Sequence, residues 1–299
     1  MRLRQLSGIF LLVLSAVPQV AESKTPTVLD PAGAWTLDYA PERCSLIRRF
    51  GDDEKSVVLQ IDSYGSRRQF RILVSGDYVP SSNKPSGLID YKFTPDQDYR
   101  RNQSALLGKS GKSNLTTFGA SFLPADVANP DISKMSQEEI NRRSAGMEEI
   151  QPEFEQAIDS ITLQLSQAQE IELRLGKMAK PLAALRTCVD DLYRSWGLDP
   201  VLQRSRTKSP IPDLKSIKKA LSYYPPKMVR NGISAYLSVR IMVDAQGQAS
   251  SCVVQNETVD NAFKSAVCDS LAGRFEPALD ADGKPMAGIY HTNVIFMLH

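Results

Sequence analysis

A chain of 299 residues, of which 42% are hydrophobic and 23% charged, is long and apolar enough to bury two separate cores. The 36 basic and 34 acidic side chains nearly balance, and a net charge of +2 gives no reason to propose nucleic acid or an anionic membrane as a partner. The four cysteines include no Cys-x-x-Cys pair and the only histidines are His291 and His299, so we expect neither a metal site nor a cofactor.

The first 23 residues have the pattern of a secretory signal peptide. A short basic segment at residues 1–4 precedes an apolar run at residues 9–17, and small residues follow at Ala21 and Ser23. The apolar run is much shorter than the roughly 20 residues that a membrane-spanning helix needs, which favours cleavage. We therefore expect export to the periplasm. An uncleaved N-terminus that holds the protein at the inner membrane is the alternative.

Residues 35–198 have the pattern of a β-rich domain, preceded by a short linker at residues 24–34. Turn residues such as Ser75-Gly76-Asp77 separate most of its apolar segments. Many short strands with turns between them favour a sandwich or a barrel-like sheet. The polar stretch at residues 125–155 is predicted to be an excursion from the sheet, with at most a short helix at 137–143. The strand-like segments are 35–39, 45–50, 57–61, 70–74, 88–93, 116–122, 161–165 and 171–175.

A helix at residues 181–196 is predicted to close this domain. Apolar residues recur along it at steps of three and four, which places them on one face, and Gly197 is a typical stop signal. Residues 199–213 carry prolines and several basic side chains and are predicted to be an interdomain linker. A short helix at residues 214–221 follows. The apolar stripe of the closing helix consists of Leu182, Leu185, Val189, Leu192 and Trp196.

An even number of cysteines in an exported chain predicts disulfide bonds. Four cysteines allow three connectivities. We favour Cys44 with Cys188, which would fasten the closing helix to an early strand, and Cys252 with Cys268 inside the last domain. Chain entropy alone would give the long loop a stabilisation of roughly 5 kcal/mol and the loop of about 15 residues roughly 3 kcal/mol.

The repeated Gly-Lys-Ser at residues 108–113 invites interpretation as a phosphate-binding loop. That motif needs a glycine five residues before the glycine of Gly-Lys-Ser, and Gln103 and Leu106 occupy those positions. A flexible, solvated loop is therefore the favoured prediction for this segment.

No pattern in the chain specifies an active site. Adjacent carboxylates such as Asp52 and Asp53 point to opposite faces of a strand and are poor acid/base pairs. The two histidines lie near the C-terminus, and no Gly-x-Ser-x-Gly sequence is present. We expect that the protein is not an enzyme, and an envelope hydrolase is the least favoured hypothesis.

The last quarter of the chain has the pattern of a complete α+β unit. Apolar residues occupy every second position over residues 233–243, which predicts a strand with one buried face. Turn residues at 244–247 and an extended segment at 248–255 complete a hairpin. Thr258 is predicted to cap a helix that covers the hairpin, and residues 288–298 form a final strand. The apolar stripe of the helix consists of Val259, Phe263, Ala266, Val267 and Leu271.

The order of short motifs in this unit resembles the C-terminal domain of TonB proteins. The resemblance begins at Tyr224-Pro225 and ends at Phe296-Met297-Leu298, and it implies an antiparallel three-stranded sheet with two helices over residues 214–299. The fold class of the whole chain is then α+β, with a β-rich domain followed by a small TonB-like domain. The family pattern is carried by Tyr224, Pro225, Arg230, Gly232, Gly247, Phe275, Pro277 and Gly283.

The resemblance implies binding by strand addition. TonB C-terminal domains add a short segment of an outer-membrane transporter to their sheet, and a strand at the end of a chain is a natural exposed edge. Coverage of this strand within the protein, or by a second copy in a homodimer, is the alternative. The predicted pairing strand consists of Gly288, Ile289, Tyr290, His291, Thr292, Asn293, Val294, Ile295 and Phe296.

Two departures from TonB limit what the resemblance implies. A force-transducing TonB has an uncleaved inner-membrane helix and a long Pro-rich spacer, whereas this chain has a predicted signal peptide and a folded β domain in those places. We therefore expect a periplasmic protein that binds an envelope partner, such as a TonB-dependent outer-membrane transporter. Energy transduction from the inner membrane, in support of transmembrane transport, is the alternative.

Overall fold

The computed structural model describes residues 25–65, 69–96, 98–123, 152–166, 169–256 and 259–298. The predicted signal peptide at residues 1–23 and the short helix predicted at 137–143 lie outside these ranges. Within them, the chain is a mixed α+β protein in which a large β-rich part precedes a smaller unit of strands and helices.

The described residues of the first part of the chain form ten strands. They are β1 (Thr27–Leu29), β2 (Thr36–Ala40), β3 (Arg43–Gly51), β4 (Ser56–Ser63), β5 (Gln69–Gly76), β6 (Ser86–Phe93), β7 (Arg100–Ser110), β8 (Ser113–Ser121), β9 (Ser160–Ser166) and β10 (Gln169–Arg174). They form one sheet in the order β1-β10-β9-β6-β7-β8-β5-β4-β3-β2, and only the pair of β1 and β10 is parallel. Each of the eight predicted strand segments overlaps one of these strands, and β1 and β7 are additional.

The sheet closes on itself through the segment that follows β1. β1 pairs with β10, and Pro31, two residues beyond β1, bridges to Phe50 in β3. A backbone hydrogen bond of 2.9 Å from Ala32 N to Arg49 O continues this contact. Because β10 and β3 lie near opposite ends of the strand order, this segment turns the sheet into a barrel.

Every second side chain along the strands points into the barrel and fills its interior. In β4, Val57, Leu59 and Ile61 are buried, and Val58 and Gln60 between them are half-buried. Successive side chains of a strand point to opposite faces, so one face of each strand lines the interior. Aromatic rings occupy much of that interior, and ring centroids lie 4.6–5.2 Å apart in the pairs Phe70–Phe122, Phe93–Phe122 and Tyr91–Phe118.

The described ranges of this part of the chain contain three helices, α1 (Pro152–Ala157), α2 (Ala179–Ser195) and α3 (Pro200–Ser205). α2 is the predicted closing helix, and its apolar stripe packs into the barrel core. The disulfide between Cys44 in β3 and Cys188 in α2 confirms the predicted pairing, with Cα atoms 6.1 Å apart. It joins residues 144 positions apart and therefore fixes the helix to the sheet.

The prediction of a flexible loop at the repeated Gly-Lys-Ser is wrong. β7 extends through Ser110 and β8 begins at Ser113, so this segment is the end of an antiparallel hairpin with Ser110 opposite Ser113. Gly111 in the turn has φ of +59°, a left-handed conformation that glycine adopts readily. The side chains at the hairpin end are exposed and polar on both faces. They therefore lack the alternation of apolar and polar residues from which strands are predicted.

In the second part of the chain, the described residues form a three-stranded antiparallel sheet. Its strands are β12 (Ala235–Val243), β13 (Ala249–Val254) and β17 (Gly288–Phe296), in the order β13-β12-β17. The sheet matches the expectation, but in the described residues three helices accompany it rather than two, together with two short strand pairs. These further elements are β11 (Ile211–Pro212), α4 (Leu214–Ser222), α5 (Pro226–Arg230), α6 (Asn261–Leu271), β14 (Phe275–Glu276), β15 (Ala278–Leu279) and β16 (Pro285–Met286).

The segment at residues 199–213 is attached to its surroundings. It contains α3 and β11, and β11 pairs with β14. Thr207 N also donates to Leu279 O at 2.8 Å. The domain boundaries themselves stay predictions, but these bonds hold the predicted linker against the last part of the chain.

α6 covers one face of the sheet. Its predicted apolar stripe is buried at Phe263, Val267 and Leu271. The disulfide between Cys252 in β13 and Cys268 in α6, with Cα atoms 5.7 Å apart, confirms the second predicted pairing. The cap differs from the prediction: the helix begins after Asp260, whose carboxylate accepts a hydrogen bond of 2.8 Å from Ala262 N, whereas Thr258 lies outside the described residues.

β12 is buried on both faces, so the prediction of one buried face is wrong. Leu237, Val239 and Ile241 face α6 as expected. Between them, Ser238 is 0% exposed and Arg240 5% exposed. The barrel covers this second face, where Met242 packs against the barrel core and Ser238 and Arg240 form hydrogen bonds. The polar side chains are why the alternating pattern resembled that of a solvated strand.

Candidate binding edge at the last strand

β17 is an edge strand among the described residues. It pairs with β12 along its whole length, from Phe296 opposite Ala235 to Gly288 opposite Val243. No other described strand pairs with it. The predicted pairing strand therefore has one side without a strand partner in the described part of the chain.

The direction of the backbone groups follows from the neighbouring strand. Ser238 in β12 faces β13, because its carbonyl accepts a hydrogen bond of 2.9 Å from Gln255 N. Asn293 lies opposite Ser238 in the register with β17. Successive residues of a strand direct their backbone groups to opposite neighbours, so Asn293 directs its N–H and C=O away from β12. The residues of β17 with outward backbone groups are Ile289, His291, Asn293 and Ile295.

The other residues of β17 anchor the strand to the helical face. The Phe296 ring lies 4.8 Å from that of Phe263 and 5.1 Å from that of Tyr224. The Tyr290 ring lies 5.5 Å from that of Phe275, and burial raises the pKa of the Tyr290 hydroxyl. These side chains hold the strand in place on the helical face. The outer edge of the strand consists of backbone N–H and C=O groups.

The barrel-facing side chains of β17 differ along the strand. Ile289 packs into the barrel core, and Asn293 Oδ1 accepts a hydrogen bond of 3.0 Å from Ser238 Oγ. Ile295 is 38% exposed. The end of the strand is tied to the barrel, because Leu298 O accepts a hydrogen bond of 3.0 Å from Ser86 Oγ.

His291 lies on the candidate strand and has a pKa far from its ordinary value. Its Nε2 atom is buried and has no hydrogen-bond partner among the described residues, and Arg240 is opposite His291 in the register. Burial lowers the pKa of His291 to about 4, so the imidazole is neutral at neutral pH.

Arg240 links the sheet to the barrel. Its guanidinium donates two hydrogen bonds to the Glu42 carboxylate, at 2.6 Å and 3.0 Å, and lies 4.3 Å from the centre of the Trp196 ring. The Arg240 side chain is 6% exposed. A buried charge with a bidentate partner and an aromatic neighbour fixes the relative position of the two elements that supply it.

Neighbouring polar side chains complete this interface. Gln255 Nε2 donates to the backbone oxygens of Glu42 and Tyr64, at 3.1 Å and 3.2 Å. The hydroxyl of Tyr236 lies against Gly119 so closely that a Cβ there would be 2.9 Å from it. Burial also raises the pKa of the Tyr236 hydroxyl. Sequence reasoning missed this interface. Tyr236 and Arg240 were marked by polar side chains at alternate positions of an apolar strand, whereas Gln255, which follows β13, had no such signal.

The residues that carry the family pattern have structural roles. Tyr224 and Phe275 pack in the core, as described above, and Pro225 precedes α5. Gly247 has φ of +77°, and a Cβ there would lie 2.1 Å from Phe275 O. Gly232 and Gly283 also have positive φ and lie in turns, Arg230 ends α5, and Pro277 lies between β14 and β15. The pattern therefore specifies the fold of the unit, and none of its residues lies on β17, the candidate binding edge.

Residues 221–298 match the family described as Gram-negative bacterial TonB protein C-terminal. The predicted TonB-like domain is thereby confirmed. Comparisons with curated proteins and with solved structures found no match. The TonB match covers the sheet, α5 and α6, and it does not extend to the barrel.

The described residues contain no cluster of three or more His, Cys, Asp or Glu side chains that could hold a metal ion. Likewise, no helix in the described ranges is both long and apolar enough to cross a membrane.

Proposed function

We propose that the protein is a periplasmic, non-enzymatic binding protein whose TonB-like domain takes up an extended segment of an envelope partner as a strand beside β17. A TonB-dependent outer-membrane transporter is the leading candidate partner. The observation that carries the proposal is the unpartnered side of β17 among the described residues, in a domain that matches the TonB C-terminal family.

The geometry favours weak, reversible binding. Four residues of β17 direct their N–H and C=O groups outward, and each backbone hydrogen bond contributes about 1 kcal/mol net. Four to six such bonds must offset an association cost of several kcal/mol. Side chains must therefore add affinity, and the exposed Ile295 is available for an apolar contact.

A pair of substitutions at Ile295 tests strand addition. Ile295→Pro removes an outward N–H and places a ring where a partner strand would lie, whereas Ile295→Ala shortens the same side chain and keeps the N–H. Both full-length variants serve as baits in envelope extract from the host. We expect the alanine variant to recover the same partner as the unchanged protein, in a smaller amount because its apolar contact is reduced, and the proline variant to lose the partner. Equal recovery by the two variants, with equal melting temperatures, would contradict strand addition.

A further inference from the structure

A concentration of positive charge lies just before the central strand of the TonB-like domain. Residues 214–233 contain five basic side chains and no acidic one, although the whole chain has a net charge of only +2. All five are exposed. We call this surface the cationic face; it consists of Lys215, Lys218, Lys219, Lys227 and Arg230.

Helix geometry directs these charges outward. Lys215, Lys218 and Lys219 occupy positions i, i+3 and i+4 of α4, which lie on one side of a helix. Ser216 and Ala220 on the other side are buried, and α4 packs against α6. Lys227 and Arg230 have the same relation in α5, where Met228 is the buried residue.

The charges of the cationic face are not neutralised by described neighbours. Lys215, Lys218, Lys227 and Arg230 form no ion pair with any residue in the described ranges, and Lys219 Nζ donates to a backbone oxygen, that of Asp269. In contrast, the exposed Arg174 in β10 pairs with Asp30 at 3.1 Å. The surface therefore keeps its charge available for a partner.

Large apolar side chains are exposed in the same segment of the chain as these charges. Tyr223 is 50% exposed, Val229 45% and Ile233 40%. Tyr223 lies between α4 and α5, Val229 is on α5, and Ile233 follows it. Exposed aromatic and aliphatic side chains within a basic surface are the combination found where a protein lies on the headgroup region of an anionic membrane.

We propose that the cationic face docks on an anionic phospholipid surface, with the basic side chains at the headgroups and Tyr223, Val229 and Ile233 at the level of the first acyl carbons. Charge complementarity selects the anionic lipid. An acidic protein partner is less favoured, because large apolar side chains are exposed in the same segment and no described strand edge lies among its cations. The docking uses none of the outward backbone groups of β17 and is independent of strand addition.

Vesicle binding tests this proposal. The full chain is sedimented with vesicles of phosphatidylcholine alone and of phosphatidylcholine mixed with phosphatidylglycerol, at low and at high salt. We expect binding only to the anionic vesicles, weakened at high salt because exposed charges are screened. Lys218→Glu combined with Lys227→Glu should weaken binding more than about ten-fold, since each basic residue near an anionic surface contributes several-fold.

Two further variants separate charge from insertion. Lys109→Glu combined with Lys112→Glu reverses two exposed charges on the β7–β8 hairpin and should leave vesicle binding unchanged. Tyr223→Ser combined with Val229→Ser should weaken binding but leave its salt dependence intact. Circular dichroism melting of each variant shows whether it has folded.

Three outcomes would overturn the proposal. The first is equal sedimentation with neutral and anionic vesicles. The second is the same loss of binding in the hairpin control and in the variant of the cationic face. The third is absence of vesicle binding together with binding to polyglutamate that requires Lys218 and Lys227, which would assign the face to an acidic protein.

Discussion

At the residue scale, His291 makes the free energy of unfolding depend on pH. Burial lowers its pKa from an ordinary value of 6.5 to about 4, so the folded protein takes up this proton less readily than the unfolded chain. Protonation of His291 therefore does not change the free energy of unfolding well above pH 6.5. As pH falls from 6.5 toward 4, the unfolded chain gains the proton first, and the free energy of unfolding decreases by about 3 kcal/mol.

The variant His291→Gln isolates this effect. Carboxylates also titrate in acid, so the free energy of unfolding must be measured in urea for both proteins at several pH values. We expect the difference between them to be constant at neutral pH and to shift in favour of the glutamine variant below pH 6.5. A difference that does not change with pH would show that His291 is protonated without cost in the folded protein.

Individual residues also show what the sequence could predict about pairing. The two disulfides follow from the position of each cysteine, because Cys188 lies beside the apolar stripe of α2 and Cys268 lies on the helix that covers β13. The partner of Arg240 could not be predicted, because Glu42 is 198 residues away and has no sequence pattern that marks it. Local periodicity places a side chain on a face, but it does not name what lies opposite.

At the scale of elements, strands with a buried apolar face were predictable and strands without one were not. β4, β5 and β6 alternate between buried and more exposed residues, and their segments were found. β7 ends in Gly108, Lys109 and Ser110, all exposed, and its pattern resembles that of a loop. An edge or hairpin end gains its backbone partners without burying side chains, so hydrophobic periodicity cannot detect it.

For β12, the sequence predicted the strand but not the burial of its second face. Its apolar positions predicted the strand, but its polar positions are buried as well, because the barrel supplies partners for them. The candidate site has the same dependence. The sequence and the family resemblance predicted β17 as the binding strand, whereas the outward direction of Ile289, His291, Asn293 and Ile295 follows only from the register with β12.

At the scale of the whole molecule, the TonB-like sheet packs against the barrel. The sheet lies between α6 and the barrel, with Arg240 and Glu42 at the contact. Removing one member of a buried ion pair costs about 3–5 kcal/mol because the other charge is left without a partner. We therefore expect Arg240→Ala to lower the free energy of unfolding by about 3 kcal/mol in urea, since Glu42 is partly exposed.

Arg174→Ala is the matched control for this prediction. Arg174 and Asp30 form an ion pair at 3.1 Å with side chains 59% and 72% exposed, and exposed pairs contribute about 0–1 kcal/mol. The control should therefore unfold nearly as the unchanged protein does. Equal destabilisation by the two substitutions would mean that Arg240 does not hold the sheet to the barrel.

The net charge of the molecule conceals how its charges are distributed. A value of +2 gave no reason to propose a membrane partner, yet residues 214–233 carry five basic side chains without an acidic one. Acidic side chains elsewhere in the chain balance these five charges in the net charge, but they do not form ion pairs with them in the described structure. Local charge along a helix face was available in the sequence and is more informative than the total.

The central claim is that the outer side of β17 is free to receive a strand. Residue-resolved amide hydrogen exchange on the full protein, without any partner, tests this most directly. We predict fast exchange at His291, Asn293 and Ile295, whose N–H groups point outward, and slow exchange at Tyr290, Thr292 and Val294, whose N–H groups pair with β12. Uniformly slow exchange from 289 to 296 would mean that the outer edge is already paired and would contradict the account.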